Sequence, residues 1–579
     1  MMARREERSA GETMVLARRM MLSLVLVVLA AGSASAQIES TVHNLTTSRG
    51  KMHGDSKGVG VCIFCHTPHN ARPTQGLWNR DLPAVTYKLY TSSTLQAQIS
   101  QPNGSSRLCL SCHDGILAPS SMRVAPISGP VAAMAPLSGI ASFGTDLSND
   151  HPISFIYNSA LALSTGDLVD PKSLPQSAPL DNEQQLQCTS CHDPHLNRPN
   201  FLRIDDHFGA DCTVCHRDHN WRSSSHAIAA QTWRGGRATA PWPANGYATM
   251  AENACESCHR VHAAPHPQLL LAQTVEEKNC TICHDGMLAK QNIEAEVAKP
   301  SSHQVLGRQW IHNPAEDPAT MPRHVTCVDC HNPHAATSSA RVTRPPVLPG
   351  ALRGVSGVTV GGVPIKEARF EYEVCLKCHG MNEPPGMGIL RQDITRNIGR
   401  KINPANRSYH PVAAPDRNLR IRTGLVTPYN SSSMISCTDC HNNDQWTQGG
   451  TAPRGPHGSR FEPILQMEYD TVDPSTESYA SYALCYKCHD RSAILFNTVG
   501  FPHKKHVVDQ RTSCAVCHDA HGSRQGTYLI NFMTMSQQGA PVVRPSKSGR
   551  LEYVPDPARP GHGKCYMTCH NTDHNPASY

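Results

Sequence analysis

Aromatic residues are scarce in this chain: Phe, Trp and Tyr make up 5% of 579 residues. Long apolar runs are missing too. The longest, "MMLSLVLVVLAAG" starting at Met20, falls short of the roughly 20 residues a spanning helix needs. No basic block and no array of interleaved aromatic and basic residues occurs, so nucleic-acid binding finds no support. With hydrophobic residues at 39%, 44 Pro and 40 Gly, an ordinary apolar core is not expected despite a length that suggests several domains. Something other than side chains has to supply the interior. An unpaired cysteine is also missing, and that absence is the most informative.

All 24 cysteines fall into twelve pairs, each followed at once by a histidine. Numbered along the chain, the motifs are Cys62/Cys65/His66, Cys109/Cys112/His113, Cys188/Cys191/His192, Cys212/Cys215/His216, Cys255/Cys258/His259 and Cys280/Cys283/His284. The second half holds Cys327/Cys330/His331, Cys375/Cys378/His379, Cys437/Cys440/His441, Cys485/Cys488/His489, Cys514/Cys517/His518 and Cys565/Cys569/His570. Eleven read Cys-x-x-Cys-His; the last, "CYMTCH", has one extra residue between its thiols. This is the attachment signature of c-type haem, two thiols for the vinyl groups and a proximal imidazole for the iron. Zinc sites do not require His after every second Cys, and a redox dithiol would occur once, beside a βαβ pattern. Twelve covalently attached haems are therefore expected.

A second histidine often follows, as in "CIFCHTPHN", where His69 comes three residues after His66. It lies on the same side as the proximal ligand of its own haem, so as a ligand it would serve a neighbour. The same placement gives His195, His219, His262, His334 and His521. Twelve of the 33 histidines are proximal, leaving enough for every iron to take a second imidazole. Further distal candidates are His43, His151, His226, His303, His410, His457 and, in "FPHKKH", His503 and His506. The expected distal set is His43, His69, His151, His195, His226, His262, His303, His334, His410, His457, His506 and His521. Met287 and Met381 are read as packing, not as ligands that would raise a potential.

First cysteines fall into couples 47 to 51 residues apart, or 24 and 25 in the middle of the chain, which implies six two-haem modules. Such repeats bury their surfaces on one another. The expected architecture is irregular and loop-rich, with short α-helices and minor β-hairpins wrapped around a packed chain of haems. The expected divisions are a two-haem module over 37–120, a haem-free wrapping segment over 121–187, a four-haem region over 188–300, a two-haem module over 301–385, a second wrapping segment over 386–436 and a four-haem region over 437–579. Short helices are expected in "EQQLQCTSCH" and "SYALCYKCH", and a hairpin in "LRGVSGVTVGGVPIKEARFEYEV". Arg18 and Arg19, the apolar run and Ala34-Ser35-Ala36 predict a cleaved signal peptide over 1–36, no spanning segment afterwards, and an exported protein of the periplasm or cell surface. The leader carries five Arg and three Glu, so the net charge of +6 drops to +4, which haem propionates would outweigh.

"CIFCHTPHN", "LCLSCHDG", "DHPISF", "HVTCVDCHNPH", "YEVCLKCHG", "SYHPV", "GPHGS" and "FPHKKH…SCAVCHDAHGS" resemble the large multihaem c-type cytochromes with doubled CxxCH motifs, found in bacteria that respire extracellular metals and electrodes. The last stretch also resembles the cytochrome c3/c7 module, in which two upstream histidines ligate different haems; His503 and His506 match those places. The resemblance implies electron transfer along bis-His haems, with other cytochromes, an outer-membrane porin–cytochrome complex or extracellular acceptors as partners. The alternative is a multihaem reductase for nitrite, hydroxylamine or sulfur oxyanions. It would need one open iron, and every motif here ends in His, so an electron-transfer protein is expected rather than an enzyme. The "CYMTCH" site, flanked by His562 and His574, is the one place where an odd iron would sit.

Overall fold

The computed structural model describes residues 37–46, 60–72, 75–126, 133–217, 220–233, 240–307, 312–313, 316–317, 320, 322, 324–338, 344–380, 389–417, 424–496 and 498–579. The signal peptide, His219 and Met381 lie outside them. The chain divides into two compact units, Met1–Arg217 with Arg260–Leu270, and Asp218–His259 with Leu271–Tyr579.

Regular structure is sparse and every element is short. The longest helices are Gly104–His113 and Glu371–His379, and both end on a CxxCH motif. Nine of the other ten motifs form short helical turns. In each of these the His N–H donates to the carbonyl of the first Cys, four residues back, as His192 does to Cys188 at 2.9 Å and His441 to Cys437 at 2.8 Å. One helical turn places residues i and i+3 on a common face, so both thiols and the imidazole are presented together. Acids cap some of these turns. Asp329 Oδ2 accepts from the Thr326 N–H at 2.7 Å and Asp439 Oδ2 from the Ser436 N–H at 2.8 Å, satisfying donors that a helix start leaves open.

The strands are antiparallel and mostly two residues long. The largest sheet lies at the C-terminal end. Its strand Gly563–Cys569 pairs on one edge with Thr572–Ser578 and on the other with Glu552–Pro555 and Val543–Arg544. The expected hairpin is present as Gly357–Val358 against Pro364–Ile365, and its last residues enter the helix Glu371–His379. The short helix expected in "EQQLQCTSCH" forms only at Cys188–Cys191; ahead of it Gln185–Leu186 is a strand paired with Phe155–Ile156. Burial decides this: the Phe155 and Leu186 side chains pack with Tyr157 and Ala162 in one cluster. Among the described residues the apolar side chains form only small clusters, such as Val358, Tyr372, Leu376, Ile402 and Val412. None approaches the core of an ordinary domain, and among the described residues no helix is long and apolar enough to cross a membrane.

Candidate cofactor sites

Eleven of the twelve motif histidines face a second histidine across a narrow range of distances. In the first unit the ring centroids of His66 and His195 are 6.2 Å apart, His113 and His43 6.1 Å, His192 and His262 6.2 Å, and His216 and His151 6.3 Å. In the second unit the pairs are His259/His334 at 6.3 Å, His284/His226 at 6.2 Å, His331/His457 at 6.0 Å and His379/His303 at 6.4 Å. They continue with His441/His521 at 6.1 Å, His489/His410 at 6.3 Å and His518/His503 at 6.5 Å. A metal–imidazole bond is about 2.0 Å and the ring centre lies about 1.2 Å behind the nitrogen, so two imidazoles on opposite faces of one metal have centroids about 6.4 Å apart. The spacing fits one haem iron between each pair.

The rings are also oriented for it. His113 Nδ1 meets the Ala141 carbonyl at 2.8 Å, His192 that of Asn200 at 2.7 Å, His441 that of Pro463 at 3.0 Å and His518 that of Tyr528 at 2.8 Å; His66 is held by the Gly76 carbonyl. A carbonyl can only accept, so Nδ1 carries the proton and Nε2 keeps its lone pair for a metal. Burial keeps these rings neutral. Together with neighbouring imidazoles it brings His43, His284, His441, His489 and His503 down to about 4 and His457 to about 3. Several of the accepting carbonyls sit in turns with positive φ at Gly76 and Leu77, Asn200 and Phe201, and Tyr528 and Leu529.

The facing histidines obey a register. Odd-numbered haem sites other than motif 11, which faces the preceding His503, take theirs from further along: His195 follows motif 3 and faces motif 1, His262 follows motif 5 and faces motif 3, His334 follows motif 7 and faces motif 5, and His521 follows motif 11 and faces motif 9. His457, after motif 9, faces motif 7. Even-numbered sites take theirs from the stretch before motif 1, at His43, or from stretches between motifs, at His151, His226, His303 and His410. The two series are tied together by backbone. His226 Nδ1 bonds the Pro333 carbonyl at 3.0 Å and His303 Nδ1 that of Pro456 at 2.9 Å, each just before an odd-series histidine. His410 bonds Ala520 and His43 bonds Pro194 in the same way. The ladders Ser301–Ser302 with Gly458–Ser459 and Ser408–Tyr409 with Gly522–Ser523 flank these histidines and fix the register.

Ten histidines of the expected distal set thus stand opposite a motif histidine. His69 and His506 do not. His69 is exposed, and among the described residues its ring faces no motif imidazole. The register accounts for it: His69 follows motif 1, and this chain has no site two motifs earlier. His506 faces His574, and His503 faces motif 11. The sequence offered both, three residues apart, without separating them.

Consecutive motifs also approach one another through their thiols. Cys109 bonds Cys188, Cys280 bonds Cys327 and Cys375 bonds Cys437. Cys65 lies near Cys112, Cys191 near Cys215, Cys258 near Cys283, Cys330 near Cys375, Cys440 and Cys514 near Cys485, and Cys517 near Cys565 and Cys569. Each unit therefore holds its motifs in chain order, 1 to 4 in the first and 5 to 12 in the second. Burial pushes the Cys65, Cys330 and Cys485 thiols up to about 12, as apolar surroundings suited to a thioether would.

Motif 12 differs. Its cysteines lie on the strand Gly563–Cys569, and His570 occupies the two-residue turn that follows, with φ of 46°. His570 Nε2, the atom that would bind iron, is 2.7 Å from Asp473 Oδ2.

A family model for the doubled CXXCH motif matches residues 248–289, which hold motifs 5 and 6. The chain is 28% identical over 179 residues to the multiheme cytochrome MtrA of Shewanella baltica (strain OS185), an alignment covering 28% of this chain and 40% of that protein. The chain thus spans less than half the length of this relative. The twelve motifs, the loop-rich fold and these two likenesses all agree with a multihaem c-type cytochrome.

Proposed function

We propose that the protein is an exported twelve-haem conduit in which the irons are closed by two imidazoles and electrons pass along the motif order. Covalently bound haem supplies a one-electron iron couple. The chain's residues do the rest. Paired thiols fix the position of each group, proximal histidines are turned by backbone carbonyls, and facing histidines close the sixth position against substrates. The observation that carries this reading is the set of eleven histidine pairs with centroids 6.0 to 6.5 Å apart. A reductase needs an open position; pairs at this spacing leave none. The cytochrome relative and the apolar leader support partners among other cytochromes, in the periplasm or at an outer-membrane complex or the cell surface.

The test is carbon monoxide added to the anaerobically reduced holoprotein, read in the Soret band against a quantified haem total. Twelve haems and no shift are expected. A shift in the unmodified protein would favour the second reading, a reductase centred on motif 12, where His570 faces Asp473 rather than an imidazole.

A further inference from the structure

Motif 12 breaks the pattern that the other eleven follow, and its surroundings say how. Four of the five even-series histidines have Nδ1 bound to the carbonyl just before an odd-series histidine, as in His226 with Pro333 and His303 with Pro456, and the fifth, His151, reaches the corresponding Val261 carbonyl through its backbone N–H at 2.8 Å. The same relation occurs once more. His506 Nδ1 bonds the Pro502 carbonyl at 3.1 Å, and the next residue, His503, faces motif 11. His506 therefore stands where the cap of site 12 belongs. Its ring faces His574, with centroids 6.4 Å apart, inside the range of the other pairs. His570 takes no part.

The strand geometry agrees. Along Gly563–Cys569 the side chains alternate, so Cys565, Met567 and Cys569 share one face. Met567 is paired across the ladder with His574, and directly opposed residues point to the same side of a sheet. Both thiols and His574 therefore lie on one face, and Cys517 of motif 11 approaches that face. His570 sits in the turn, bound to Asp473, which also accepts from the Ser513 N–H at 3.0 Å. The Tyr579 hydroxyl lies 3.0 Å from His574 Nδ1 and 3.4 Å from His506 Nε2, so it is in hydrogen-bonding reach of both rings.

We infer that the haem on Cys565 and Cys569 is held between His506 and His574, and that His570, although adjacent to the second thiol, is a structural anchor on Asp473. This deepens the twelve-haem reading and rests on haem being attached at motif 12. The experiment uses the full holoprotein. Mass spectrometry of the peptide holding Cys565 and Cys569 first establishes attachment. His574→Ala and His506→Ala are then each expected to render one haem in twelve high-spin and CO-binding, with low-spin character restored by added imidazole. His570→Gln keeps a hydrogen-bonding group for Asp473 and is expected to leave all twelve low-spin and CO-silent. A haem-bearing His574→Ala that stays CO-silent, or a His570→Gln that opens one iron, overturns the inference and leaves the conduit standing. A peptide without haem overturns both the inference and the count of twelve.

Discussion

Replacing His195 with alanine tests one proposed sixth ligand by itself. The His195 side chain is 53% exposed, and its polar contact is Nδ1 to Asp193 Oδ1 at 3.0 Å. Its removal creates no core cavity and forfeits about 1 kcal/mol of hydrogen bonding, too little to unfold a chain pinned by its cofactors. The ring it faces, His66, keeps its own support from Gly76. The haem on Cys62 and Cys65 stays attached and loses one axial ligand. One iron in twelve, about 8% of the total, is then open. In the reduced protein that fraction of the Soret intensity should shift with carbon monoxide, and in the oxidised protein the same fraction should turn high-spin. Millimolar imidazole should reverse both changes, because a free ring fits the space that His195 leaves. A purely structural role would give neither the stoichiometry nor the rescue. A CO-silent variant refutes the assignment, and a shift spread over many haems refutes the claim that this histidine serves one site.

The two series of pairs also differ in ring orientation: the odd sites are near-parallel, from 2° to 30°, and the even sites are crossed, from 42° to 84°. Low-spin ferric haems should therefore give two classes of electron paramagnetic resonance signal, and one uniform class would contradict the pairing. His69→Ala should leave the spectrum, haem count and CO response unchanged; opening of an iron would show that the register starts one site earlier. Glu477 accepts from Arg491 Nε at 2.8 Å and Nη2 at 2.6 Å and from Tyr486 at 3.0 Å, and the Arg491 bonds hold its carboxyl below the ordinary range. Its stabilisation is complete above the unfolded carboxylate pKa of about 4.3 and is lost as pH falls through the lower folded value. With Arg491 42% exposed, Glu477→Gln should cost about 1 kcal/mol near neutral pH. Melting curves should show that loss vanish in acid, and an equal loss at every pH would refute it.

The attachment sites were legible because covalent chemistry fixes their spacing, whatever the fold does around them. That the second histidine of "CHDPH" and "CHNPH" faces another motif was legible for a simple reason: a ring three residues past the proximal position cannot reach the far face of its own haem. Which iron each histidine faces was not, since that depends on ladders of two residues such as Ser301–Ser302 with Gly458–Ser459, too short to leave a pattern. The turns that orient the proximal rings were hidden as well. They place Leu77, Phe201 and Leu529 at positive φ, where sequence reasoning looks for glycine. "EQQLQ" read as helix because strong helix formers fill it, and pairing with Phe155–Ile156 overrode propensity. At motif 12 adjacency in sequence pointed to His570, while the turn that carries it sends its Nε2 to Asp473.

The register makes the sites interdependent. Motif 3 would bind one group through Cys188, Cys191 and His192, and its next histidine, His195, faces motif 1; His262, after motif 5, stands in the same relation to motif 3. A site is therefore completed only after the chain two motifs downstream has closed its own turn. The even series is locked to this advance, since the Pro333 carbonyl that holds His226 and the His334 that faces motif 5 are adjacent residues. Apolar clusters as small as Val355, Ala368 and Val374 cannot hold such an arrangement by themselves. Cofactor attachment and ligation have to supply the missing stability, as metals do in small metal-dependent domains. Blocking one attachment should then weaken the site two motifs upstream for odd motifs. Cys188→Ala with Cys191→Ala should therefore open the Cys62/Cys65 haem to carbon monoxide as well as removing its own haem. Loss of one haem with every remaining iron CO-silent would show that each module folds alone.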